Sequence, residues 1–143
     1  MTDQADLPAI SPFANVQMSG RIDELTKAMA AVQKAVEDPE RNAKNPHFKS
    51  LYVNLPAVLN ATRDLLAENG LAVIQIPVAG DGQAGVVSIL SHKSGQWIAG
   101  RTCFESAKQD PQAAGSAITY ARRYSIQGMT ATEAVMQAGA PPK

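Results

Sequence analysis

One cysteine in 143 residues, Cys103, excludes an internal disulfide and any zinc site built on cysteine. Histidine is nearly as scarce: only His47 and His92 occur, and His92 sits beside a turn signal where a surface role is ordinary. A metal site would then need carboxylates, and Asp64, Glu105 and Asp110 show no recognisable ligand spacing. No G-x-x-x-x-G-K-[ST] phosphate loop appears, which argues against an ATP-driven recombinase. No apolar run approaches the roughly 20 residues of a membrane span. The first twelve residues carry Asp3 and Asp6 and lack a cationic-then-apolar leader pattern. A cytoplasmic protein with no membrane contact, no cofactor and no enzymatic centre is expected.

Net charge is also missing: 13 basic side chains offset 13 acidic ones. The two signs are segregated, however. Residues 1–40 hold three basic and seven acidic side chains, a net −4, and residues 41–143 hold ten and six, a net +4. Arg41, Lys44, Lys49 and Arg63 follow one another without an intervening acid. A polyanion meets local potential rather than net charge, so overall neutrality does not exclude DNA.

What the chain has is hydrophobic content, 45%, enough for one globular domain with its own core. Residues 1–19 show two prolines and no period, and read as a flexible arm. A core follows over 20–134, and 135–143 form an Ala-Gly-Pro tail. Ile22, Leu25, Met29, Val32 and Val36 recur at helical spacing and predict a first helix, stopped by Asp38-Pro39. Glu40–Ser50 is polar and basic with a turn at Asn45-Pro46, a loop or short hairpin. A second helix is capped by Asn54, carries Pro56 in its first turn and closes at Gly70. Leu55, Val58, Leu59, Thr62, Leu65 and Leu66 fall in one of its arcs.

Three strands come next, Leu71–Pro77, Val86–His92 and Gln96–Phe104, joined by turns at 79–82 and 93–95. Such short links force antiparallel neighbours, so the fold class is α+β, a three-stranded β-meander packed with helices. The last helix starts at Asp110-Pro111. At 100° per residue, Ala113, Ala114, Ala117, Ile118, Tyr120, Ala121 and Tyr124 share an apolar face. Gly115, Ser116, Thr119, Arg122, Arg123 and Gln127 share a polar one, with Ile126 the only apolar intruder.

That polar face is the sharpest chemical signal. Arg122 and Arg123 carry planar, permanently charged donors suited to phosphate oxygens, and Ser116 and Thr119 add hydroxyls. The alternative is a solvated face whose arginines pair with acids elsewhere, and the helix by itself does not choose. The basic loop, with Lys44, Lys49 and His47, adds a second cationic element. Aromatic residues are few, 5%. Tyr120 and Tyr124 fall on the apolar face, and Phe48 and Tyr52 beside Lys49 are the stacking candidates. A groove rich in cations and poor in stacking partners would grip phosphates and leave base edges free for a second strand.

Three stretches within Leu25–Met129 resemble the ERF (essential recombination function) family of phage single-strand annealing proteins. They are Asn45-Pro46-His47-Phe48-Lys49-Ser50-Leu51-Tyr52; Glu68-Asn69-Gly70-Leu71 with the hairpin His92-Lys93-Ser94-Gly95; and the long run from Asp110-Pro111 through Tyr120-Ala121-Arg122-Arg123-Tyr124. The last is the specific one. The resemblance implies sequence-independent binding of single-stranded DNA, assembly into rings or helical filaments, and annealing without ATP. Carried onto this chain it implies DNA contacts from Lys49, Tyr52, Thr119, Arg122 and Arg123, to which charge adds Lys44. Family members often continue into an acidic stretch and a further C-terminal region. Here Met129-Thr130-Ala131-Thr132-Glu133 leads to a short tail, so contact with a host single-strand binding protein is only a further candidate. The rival from a different class is a self-assembling adaptor whose basic elements meet acidic ones on a neighbouring subunit. A nuclease-type enzyme ranks third.

Overall fold

The structure, a computed structural model, describes residues 15–37, 43–45, 50–52, 54–106 and 110–132. In chain order the elements are β1 (Val16–Met18), α1 (Asp23–Ala35), β2 (Ala43–Asn45), β3 (Ser50–Tyr52), α2 (Leu55–Glu68), β4 (Leu71–Gly80), β5 (Gln83–His92), β6 (Trp97–Glu105) and α3 (Pro111–Thr130). The fold is α+β as expected, but the main sheet has four strands, in the order β1-β6-β5-β4. The fourth comes from the stretch read as an arm: Val16 pairs with Gly100 and Met18 with Ile98. Three residues are too few to show a period, so this edge strand left no signal. The basic stretch contributes a separate two-stranded hairpin, β2–β3.

The meander is longer than its apolar runs. β4 and β5 pair without a break from Leu71↔His92 to Gly80↔Gln83. The turn between them is two residues, Asp81 and Gly82, both at positive φ (55° and 75°). That mirror-image turn matches the right-handed twist of paired strands, which fixes the register.

The helices lie on one face of the sheet. Ala84, Val86, Ser88 and Leu90 of β5 alternate inward and are buried, where α3 and α1 meet them. Leu25, Ala28, Met29 and Val32 of α1 join Leu66, Leu71 and Leu90 in the main core. Leu55 and Val58 of α2 join Ile126 of α3 in a second cluster. The predicted arc of α2 holds, with Leu55, Val58, Thr62 and Leu66 buried. The opposite sheet face carries Ile74 and Ile76, about half exposed, and no described element covers it.

Each helix start has an identifiable acceptor. Asn54 Oδ1 accepts from the Ala57 N–H at 3.1 Å, and Asp110 Oδ1 accepts from the Ala113 N–H at 2.7 Å. α1 has no cap from its own Ile22. Its acceptor comes from the β5–β6 turn, where Gln96 Oε1 takes the Leu25 N–H at 2.9 Å. Gln96 Nε2 donates to Asp23 at 3.0 Å, and Arg21 donates to both oxygens of that carboxylate. The Arg21 hydrogen bond, then that of Gln96, hold the Asp23 carboxyl well below the usual carboxylate range. No helix among the described residues is long and apolar enough to cross a membrane.

Candidate nucleic-acid interface

The burial of α3 departs from the single apolar arc drawn from sequence. Its first half rests on the sheet through Ala117 and Ala121, both buried. Its second half also meets α2 and α1, so Arg123, Ile126, Gln127 and Thr130 are buried there. Tyr120 and Tyr124, read as core, are 50% and 46% exposed, whereas Arg123, read as open, is 9% exposed. Ile126, the supposed intruder, belongs to the α2–α3 cluster. A 100° wheel assumes one packing layer, and α3 has three neighbours, so no single arc describes it. Gln127 is the uncompensated consequence: its amide is buried with no hydrogen-bond partner among the described residues.

The two arginines therefore serve different surroundings. Arg122 Nε donates to Gln75 Oε1 of β4 at 3.2 Å. Gln75 Nε2 in turn donates to Ser88 Oγ at 2.9 Å and to the Arg122 carbonyl at 3.2 Å. Arg122 thus lies at a cleft of about 330 Å³ between α2, β4 and α3, with Arg63 on its other wall and an apolar floor that includes Leu59, Val73 and Ile126. No acid lines it.

Arg123 turns the other way. Its guanidinium carbon lies 5.0 Å from the Tyr120 ring centre and 4.9 Å from that of Tyr124. The two tyrosine rings, one helical turn apart, are 6.3 Å apart and nearly parallel at 17°. Phe104 of β6 meets Tyr124 edge-on at 6.0 Å and 62°, and is 38% exposed. Three adjacent rings thus form an exposed aromatic ridge.

Beside the ridge runs an open groove of about 520 Å³. α2 contributes Asn54 and Leu55; α3 contributes Gln112, Gly115, Ser116, Thr119, Tyr120 and Arg123. Among the described residues lining it, the guanidinium is the only charge, and the positive end of the α2 dipole points toward it from Asn54. Thr119 is exposed on its wall.

Of the residues expected to contact DNA, the structure brings Thr119 and Arg123 together in this groove and sends Arg122 to the other cleft. Lys44 and Tyr52 stand opposite Leu51 and Ala43 in the β2–β3 hairpin. Tyr52 is two residues from Asn54, so its backbone lies within about 7 Å of that end of the groove. Lys49, and the stacking candidate Phe48, lie outside the described residues. Sequence reasoning missed the ridge and the α2 end of the groove. The available signal was the Tyr-x-x-Arg-Tyr spacing, which sets a cation between two rings of one helix face.

The described residues form a helix-backed antiparallel sheet with open, cation-bearing grooves, and no His/Cys/Asp/Glu cluster among them could hold a metal. The ERF superfamily model matches residues 25–134, from α1 to just past α3. The chain belongs to the ERF superfamily, a family of annealing proteins of phage recombination. No curated protein and no solved structure matches the chain.

Proposed function

We propose that this chain binds single-stranded DNA without sequence preference and anneals complementary strands without ATP. It does so as a homo-oligomer, in the recombination of a phage or prophage within the host bacterial cytoplasm. The observation that carries this reading is the run of α3 from Gln112 to Arg123. It lies inside the family match and supplies hydroxyls, an amide and a guanidinium to one open groove. Hydroxyls and guanidinium groups are phosphate donors, and none of them reads a base edge by necessity. The Arg63–Arg122 cleft adds a second cationic surface, and in this reading Lys44, Lys49 and Tyr52 of the basic stretch also contact the strand.

Fluorescence anisotropy with labelled oligonucleotides of different sequence tests the binding. Log affinity is expected to fall linearly with log salt, at about −0.7 per phosphate contacted, with the same slope for every sequence. Salt-independent binding, or strong preference for one sequence, contradicts the reading.

One observation supports the adaptor reading: the −4 and +4 segregation of charge along the chain. In that case Arg122→Ala breaks the assembly into smaller species and leaves DNA binding as it was. Sedimentation and anisotropy on one sample separate the two.

A further inference from the structure

The ridge formed by Phe104, Tyr124 and Tyr120 borders the groove through Tyr120 and has no covering element among the described residues. We infer that it is a base-stacking platform: nucleobases of the single strand lie flat on these rings while the sugar–phosphate chain follows the groove beside them. This inference rests on the single-strand binding proposed above and adds a contact to the bases that the scarcity of aromatic residues had argued against.

Three features favour a nucleic acid over an apolar protein surface as the occupant. The ridge is not apolar on its groove side, where Ser116, Thr119 and Gln112 offer hydroxyl and amide groups. The rings are held in place, because the guanidinium carbon of Arg123 lies about 5 Å from both tyrosine ring centres. Ordering them on binding therefore costs little side-chain entropy. And a ring–cation–ring arrangement offers π faces that are indifferent to base identity. Stacking occupies the faces of the bases and leaves their pairing edges outward. Platform binding is thus compatible with annealing, and the strand is presented rather than hidden.

The test compares an oligothymidylate with an abasic oligonucleotide of equal length, by anisotropy at one salt concentration. The parent protein is expected to prefer the thymidylate by about 5- to 150-fold for each stacked base. Tyr120→Leu with Tyr124→Leu should erase that preference, leave the salt slope unchanged and keep the sedimentation profile. Tyr120→Phe with Tyr124→Phe, which keeps the ring faces, should retain it. If the parent binds both oligonucleotides equally, or the leucine variant keeps the preference, stacking on the ridge is wrong while single-strand binding stands. If the leucine variant instead sediments as smaller species with the preference intact, a second copy covers the ridge and the inference is overturned. If the parent binds neither oligonucleotide, the proposed function itself is wrong.

Discussion

Arg122 and Arg123 are adjacent in sequence and part at the helix surface. Arg122 Nε donates to Gln75 Oε1 at 3.2 Å, while the Arg123 guanidinium carbon lies 5.0 and 4.9 Å from the rings of Tyr120 and Tyr124. A tandem pair on an open face would be exchangeable. These two are not.

Single alanine variants should therefore differ in kind. Arg123→Ala removes a buried stem and two cation–π contacts, and is expected to cost about 1–3 kcal/mol of stability. Arg122→Ala should cost less, about 0.5–1.5 kcal/mol, because Gln75 keeps Ser88 and the backbone carbonyl at 122 as acceptors. Each should also flatten the salt dependence of single-strand binding by about 0.7 where a phosphate contact is lost. Denaturant titrations beside salt titrations check both; equal stability losses would contradict the divided geometry.

Gln96 is expected to matter for a helix to which it does not belong. It gives α1 the N-terminal acceptor that Ile22 cannot supply, and it also donates to Asp23. Gln96→Ala should cost about 0.5–2 kcal/mol, the range for losing a helix cap. Amide hydrogen exchange should quicken at Leu25 while the centre of α3 is unaffected. Unchanged protection at Leu25 would show that the tether is not stabilising the helix.

Gly115 and Gly128 form a controlled pair. Both lie within α3, and a Cβ at either meets nothing within 4 Å. Gly115 lines the groove, and Gly128 is not among its lining residues. Alanine at either position should stabilise the protein by up to about 1 kcal/mol through helix propensity. Only Gly115→Ala should weaken single-strand binding, because only there would a backbone pass close to the helix. Equal binding by the two variants would mean that the strand does not run along this groove.

The elements dictated by local chemistry were legible in the sequence. Asn54-Leu55-Pro56 and Asp110-Pro111 cap their helices as their residue types require, and the apolar run Val86–His92 falls within the strand β5. What escaped depends on tertiary neighbours. β1 exists because β6 offers it an edge, and three residues carry no period of their own. The exposure of Tyr120 and Tyr124 depends on how α3 is wedged between the sheet and the other helices, which a helical wheel does not contain. The groove was half legible: Ser116, Thr119 and Arg123 were read on one face, but their partner Asn54 comes from another helix.

The central claim is annealing, and it is tested most directly by mixing two complementary dye-labelled oligonucleotides with the protein in the absence of any nucleotide triphosphate and following energy transfer. The account predicts duplex formation faster than the protein-free rate, with the gain lost as salt is raised. A rate equal to the protein-free control at low salt, with the protein bound to both strands, would contradict it.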